Sequence, residues 1–382
     1  MLEPEFPVPV PILLPVPEPL AHGLLVFTFL LHAVFMNLVL GGTPIMVVSD
    51  WMGSRAGNDR FRRLALTMAS VAPTVLNLTV VLGIVPVFFL YLLYGQFFYP
   101  AARLFGNGWI ALIGVLLLAY CGLHAYKHWR GWLSNRPRIH LMIGGISAVL
   151  FLGIALVFVT LSVLMLNPGQ WRAVQTEGFL WAVRLPSVIP RYFHMVMASV
   201  AGIGILLVLY GAALGSRWGS PPAAPWLSDP GYPQWVMRYG VVWALTGTLL
   251  QIVIGPWLLL TLPEPVLGAL VNADNPGAVV FFVSLTFGLL GLVLLNAALM
   301  VPQARGFALT GVSSLMVTIA LMVVVRDRVR HYWLSGDWDP GTLPVDWHWG
   351  VIAIFIALLL GSIFLMMYLV RALVKSLRAR TE

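Results

Sequence analysis

Nine apolar stretches constrain this chain more than any motif it carries. They lie near 20–48, 64–94, 108–126, 141–166, 193–215, 240–262, 277–301, 306–325 and 350–370. Each can cross a ~30 Å hydrocarbon layer as a helix, a crossing that takes about 20 residues. The stretches are too long and too leucine-rich for barrel strands, and a helix satisfies its own backbone hydrogen bonds in lipid. Charged residues make up 9% of the chain, against roughly 25% in a soluble domain. The expected fold is therefore all-α, a polytopic membrane helical bundle of about nine transmembrane helices.

The basic residues orient it. Loops 51–63, 127–140, 216–239 and 302–305, with the tail after Val370, hold fifteen of the 22 lysines and arginines, and the opposite loops hold ten of the fourteen acids. An excess of Lys and Arg in short loops marks the cytoplasmic side. The N-terminus is expected outside and the C-terminus inside, in a multi-pass protein of the cell inner (cytoplasmic) membrane. The net charge of +8 sits in short flanks such as Arg60-Phe-Arg-Arg63. These are topology anchors with some attraction for anionic lipid, and no nucleic-acid partner is expected.

Three regions are expected. Residues 1–19, proline-rich, form an extended arm on the outer face, either an ordered lead-in or a strap over a partner. Residues 20–372 form the transmembrane domain, and 373–382 a basic cytoplasmic tail. Cys121 is the sole cysteine, which excludes a disulfide, a CxxCH haem attachment and a cysteine-held iron–sulfur cluster within this chain. Histidine, methionine or carboxylate must hold any redox centre. No Asp or Glu falls within the nine apolar runs.

Eight histidines are sorted by depth. His128 and His140, among inner-loop arginines, read as solvated interfacial groups, and His124 is ambiguous. His22 and His32 share the first helix but stand ~15 Å apart along it and about 80° apart around it, so they cannot serve one metal. His194 opens the fifth span, and His331 and His348 bracket the last outer loop, 326–349. A histidine within hydrocarbon tends to be functional, and a buried structural imidazole is the competing reading for His32 and His194. Zinc held by His331, His348 and nearby aspartates has no standard spacing behind it. Arg326, Arg328 and Arg330 sit where the positive-inside bias disfavours them. They are candidates to pair with carboxylates, either the propionates of a haem or local aspartates.

The ordered set of segments resembles subunit I of the cytochrome bd quinol oxidases. Leu31-His-Ala-Val-Phe-Met-Asn-Leu-Val-Leu-Gly41 looks like the helix 1 motif whose histidine ligates a haem, which implies that role for His32. Leu76-Asn-Leu-Thr-Val-Val-Leu-Gly83, Ser147-Ala-Val-Leu and Leu166-Asn-Pro-Gly169 resemble further family segments. Arg191-Tyr-Phe-His194 is similar to the segment whose histidine ligates the low-spin haem b. Val325-Arg-Asp327-Arg-Val-Arg330-His-Tyr-Trp333 looks like a diverged Glu-x-Gly-Arg-x-Pro-Trp motif, placing Asp327 at a ligating glutamate and Arg330 at its arginine.

The resemblance implies two or more non-covalent b haems and a quinone or quinol substrate. His32, His194 and Asp327 would touch iron, with His22, His331 and His348 candidates for remaining positions and Arg191, Arg326, Arg328 and Arg330 beside the cofactor. The chain departs from the family in three places. Val283-Ser-Leu-Thr-Phe-Gly288 lacks the expected methionine, the quinol loop shrinks to about 263–277, and the family's intramembrane glutamates are missing. Reducing oxygen consumes protons, so the missing acids favour electron transfer between the quinone pool and an outer redox protein, a c-type cytochrome or iron–sulfur subunit of a larger complex. A quinol:oxygen oxidoreductase and a haem-free anchor or transporter are the alternatives.

Overall fold

The computed structural model describes residues 13–215, 229–301 and 305–379. The first twelve residues of the proline-rich arm, positions 216–228 of the inner loop, 302–304 and the end of the basic tail lie outside the described residues. Among the described residues twelve α-helices follow one another: α1 (Glu18–Leu40), α2 (Gly42–Ala56), α3 (Asp59–Phe105), α4 (Gly108–His128), α5 (Pro137–Leu164), α6 (Trp171–Glu177), α7 (Val188–Leu214), α8 (Tyr232–Leu259), α9 (Glu264–Val271), α10 (Pro276–Met300), α11 (Arg305–Leu334) and α12 (Trp349–Ala379).

The chain is a multi-pass α-helical membrane protein. Among the described residues eight segments are long and apolar enough to cross a bilayer, α1 and α2 counting as one, and the apolar part of α12, Trp349–Leu365, adds a shorter ninth. Helices α1 to α5 pack around one another, as do α7, α8, α10 and α11, and α7 joins the two groups through α1 and α5. We call the two ends of the bundle the His22 end and the Asp50 end.

Local chemistry sets the helix limits. Gly57, at φ 60°, terminates α2 in the left-handed region that glycine tolerates best. Asn58 then caps α3 by accepting from the Arg60 N–H at 3.0 Å. Helix α3 runs 47 residues, about 70 Å at 1.5 Å per residue, and it is not straight. It kinks at Tyr94 (φ −131°, ψ 27°), where the apolar run 64–94 ends. There the Trp338 indole donates to the Leu93 carbonyl at 2.9 Å.

Small residues set the closest helix contact. Gly204 and Gly211 on α7 face Gly240 and Gly247 on α8, and a Cβ on any of them would meet the partner's backbone. Dispersion between closely apposed backbones replaces the hydrophobic drive that lipid removes. Elsewhere α4 and α12 turn Ile110, Leu117, Ile354 and Phe364 outward, as lipid-facing surfaces do.

The structure corrects two expectations. The segment 326–349 is not all loop, because α11 continues to Leu334 and carries Arg326, Asp327, Arg328 and Arg330 as helical residues. The helices also overrun the apolar runs, so Glu18, Asp50 and Asp327 lie within candidate spans. The absence of acids therefore holds for the middle of the bundle and not for its ends. Residues 13–17, the described end of the proline-rich arm, lie against the last segment before α12. Leu14 is fully buried and pairs with the 344–346 segment: its N–H donates to the Pro344 carbonyl and its carbonyl accepts from Asp346 N–H, both at 2.9 Å.

Candidate cofactor-binding site

The first helix places His32 against α3. Its Nδ1–H donates to the Thr79 carbonyl at 3.1 Å, while Nε2 has no hydrogen-bond partner among the described residues. A metal-ligating histidine holds itself this way, one nitrogen tied to backbone and the other free. The ring lies on Gly83, where a Cβ would sit 2.9 Å from the His32 Cε1. Two segments singled out in the sequence, 31–41 and 76–83, thus meet at one imidazole.

His194 lies nearly two turns into α7, and its Nδ1 is buried without a partner. Native structures pair the large majority of buried polar side-chain atoms. The Nε of Arg191, three residues earlier, is buried and unpartnered as well. Neither orphan is explained by the protein alone, and both suit a bound group, the imidazole as an axial donor and the guanidinium as a carboxylate clamp.

Three arginines gather nearby. Arg326 and Arg330 on α11 and Arg191 on α7 lie within electrostatic range of one another. Among the described residues Asp327 is the one carboxylate between them, and it is committed to Arg330 at 2.8 Å. Arg326 lies over the Phe29 ring, 4.0 Å from its centre. Arg326, Asp327, Arg330 and Phe29, with Leu25, Val26 and Val323, line a crevice with room for about one water molecule. The cluster holds three positive charges against one negative, in apolar surroundings where unpaired charge is costly.

The other candidates fit a ligand role less well. Both nitrogens of His22 are engaged, Nδ1 with the Glu18 carboxylate and Nε2 with the Tyr94 hydroxyl at 2.9 Å. His331 lies edge-on to His22, ring centres 6.5 Å apart. His348 is exposed, 3.7 Å from Asp346, and Arg328 is exposed too. Asp327 is occupied by Arg330. Among the described residues no three His, Cys, Asp or Glu side chains lie close enough to hold a metal by themselves, so the zinc arrangement at His331 and His348 is not formed. Axial ligation of a haem asks for no such trio.

A further cluster at the Asp50 end overturns the reading of His140 as solvated. His140 is 5% exposed, because Asp50 draws it inward, Nδ1 to Oδ2 at 3.2 Å. Its Nε2–H donates to the Tyr126 carbonyl at 2.8 Å. The Tyr126 hydroxyl donates to Asp50 at 2.8 Å, and Arg130 adds a contact at 3.2 Å. Asp50 lies 76 to 90 positions from the other three residues in sequence, with no motif to announce the cluster. His128 is exposed as expected, and His124 is half-buried with Nε2 unpartnered.

No family model matches the sequence, and no curated protein does. Among solved structures the chain is similar to one in the bd oxidase from Geobacillus thermodenitrificans, with a TM-score of 0.73 and 13% identity over 94% of this chain and 98% of that one. At that identity the likeness concerns the fold alone: this chain has the fold of that bd oxidase chain.

Proposed function

We propose that this chain is the b-haem-carrying membrane subunit of a redox complex, exchanging electrons between a quinone pool and a partner redox protein. The observation that carries this reading is the surplus of positive charge at Arg191, Arg326 and Arg330. Two charges beyond Asp327 match the two propionates of a haem, and arginine forks suit carboxylates. His32 and His194 would hold haem iron in this reading, each with a nitrogen that no group among the described residues uses. A bound b haem would supply a one-electron carrier in a site otherwise without redox chemistry. Arg191 and Arg326 would anchor and orient it, and the aliphatic walls of α1 and α11 would exclude water from it.

The His22 end faces outward in this reading, as the distribution of basic residues predicts, and the membrane is the cytoplasmic one. A c-type cytochrome or iron–sulfur protein docks there, and the exposed Trp347 and Trp349, stacked 5.1 Å apart, offer it a rigid aromatic contact. Quinol:oxygen oxidoreduction is the second reading. It is favoured by the likeness to a bd oxidase chain over nearly the full length and by the acids that the helices bring into their ends.

The test is a reduced-minus-oxidised spectrum of the purified complex, with its subunits identified. A b-type spectrum that loses a low-spin component in His194→Ala supports the reading. A haem-free complex, or an unchanged spectrum at full haem content in that variant, refutes it. Carbon monoxide binding with full quinol oxidase activity toward oxygen would replace electron relay by the second reading.

A further inference from the structure

Glu18, His22 and Tyr94 form an unbroken hydrogen-bonded line that the cofactor reading leaves unused. Glu18 opens α1 with its side chain 28% exposed, and the His22 side chain is 13% exposed. Tyr94, at the kink of α3, is fully buried. The His22 Nδ1 meets the Glu18 carboxylate, and its Nε2 lies 2.9 Å from the Tyr94 hydroxyl. Beyond Tyr94 stands Arg330, its guanidinium 5.5 Å from the phenol ring centre. Arg330 in turn lines the water-sized crevice together with Asp327. The charged groups around the phenol are Glu18, Asp327, Arg328 and Arg330, and His331 lies beside the imidazole.

We propose that Glu18, His22 and Tyr94 are a proton relay joining the surface at the His22 end to the buried crevice beside Asp327 and Arg330. The donor assignment follows from the partners. A carboxylate only accepts, so the neutral imidazole carries its proton on Nδ1 and accepts the phenol proton at Nε2. For one proton moving outward, the Nδ1 proton passes to Glu18, the Tyr94 hydroxyl proton passes to Nε2, and the Tyr94 oxygen takes a proton delivered as hydronium from the Arg330 side, leaving neutral water behind. One proton has left the crevice, one has appeared on Glu18, and His22 has changed tautomer. A rotation of the ring, or the reverse sequence, resets it. Arg330 holds its proton throughout, because a guanidinium does not deprotonate in proteins; it orders the water and stays charged.

The alternative is a static brace between α1 and the α3 kink, and the two differ in what reaches Tyr94. The use of the relay depends on the haem reading, but its existence does not. The experiment follows deuteration of the Tyr94 hydroxyl by infrared spectroscopy after transfer of the intact complex in nanodiscs to heavy water, with the band assigned by Tyr94→Phe. Fast exchange is expected in the unsubstituted protein. His22→Phe should slow it by roughly a hundredfold, the lower end of what a positioned proton carrier contributes, and Glu18→Gln should slow it less. Should His22→Phe fail to fold, His22→Gln keeps a polar bridge that cannot change tautomer and should slow exchange similarly. Exchange at the unsubstituted rate in the folded His22 variant overturns the relay. Because the readout is on the protein, a haem-free preparation in which His22 still governs exchange leaves the relay standing while removing the haem reading. A full haem spectrum with unaltered exchange does the reverse.

Discussion

The two ends of the bundle handle buried charge in opposite ways. At the Asp50 end, Asp50 is held by Arg130, His140 and Tyr126, and the half-exposed Arg60 pairs with Asp229 at 2.6 Å. At the His22 end, Arg191, Arg326 and Arg330 share a single carboxylate, and the His194 Nδ1 and Arg191 Nε find no partner. Buried ions normally persist because something pairs them. The first cluster is complete within the chain and reads as structure. The second is incomplete and reads as a site that a ligand finishes. Unpartnered atoms occur at the Asp50 end too, at Thr43, Tyr232, Trp243, His124 and Arg130. Thr43, Tyr232 and Trp243 carry no charge, Arg130 keeps its other nitrogen on Asp50, and His124 sits beside Lys127 and His128 near the end of α4, with the Lys127 ammonium bonded to the Ser70 carbonyl.

Breaking the complete cluster should have the largest effect. Asp50→Ala leaves the buried His140 and the half-buried Arg130 without their carboxylate, and removing one partner of a buried pair costs about 3–5 kcal/mol. Thermal unfolding of the detergent-solubilised protein should fall accordingly, while any haem spectrum keeps its shape. A spectral change with intact stability would mean that the ends have been assigned the wrong way round.

Arg326→Leu should do the opposite. It removes an unpaired charge, so the cofactor-free protein should hold or gain stability, while haem content at limiting haem falls roughly tenfold, equivalent to ~1.4 kcal/mol of lost pairing. Haem content by pyridine haemochrome, set beside the unfolding midpoint, checks both halves. A destabilised apoprotein would show that Arg326 has a protein partner after all.

Gly83→Ala tests the seat of His32. The added methyl sits 2.9 Å from the ring, and crowding of this kind costs about 1–3 kcal/mol. The ring must shift from Thr79, and the high-spin part of the spectrum should change while His194-dependent features persist. An unaltered spectrum would separate His32 from the cofactor.

The smallest effect belongs to the surface pair. Arg60, hydrogen-bonded to the Asp229 carboxylate, holds it below its ordinary value of 3.8. A depressed carboxyl stabilises the folded state at pH above its unfolded value and stops doing so as pH falls through the folded one. Asp229→Asn should therefore lower the unfolding midpoint slightly at pH 7, and the difference should vanish on acidification. A difference that grew at low pH would contradict the pairing.

Much of the architecture was legible in the chain because hydrocarbon leaves few options. Apolar runs announce helices, glycine and asparagine punctuate them at Gly57 and Asn58, and lone histidines in apolar surroundings are conspicuous, as His32 and His194 were. The limits of the helices were less legible. Apolarity ended at Val325, but α11 did not, because Arg330 and Asp327 pair within one helical turn and lose little by remaining helical. His140 looked solvated because its neighbours in sequence are arginines, while its neighbours in space are Asp50 and Tyr126.

Composition and periodicity determined that this protein is a membrane helical bundle and which residues stood out in it, since both follow from what a bilayer permits a backbone and a side chain to do. Only the tertiary structure decided which charges are satisfied. It took Asp50 and His140 out of solvent, committed His22 to Glu18 and Tyr94, and left Arg191, Arg326 and His194 short of partners. Whether a polar group is paired depends on contacts between helices far apart in sequence, and no local pattern encodes them.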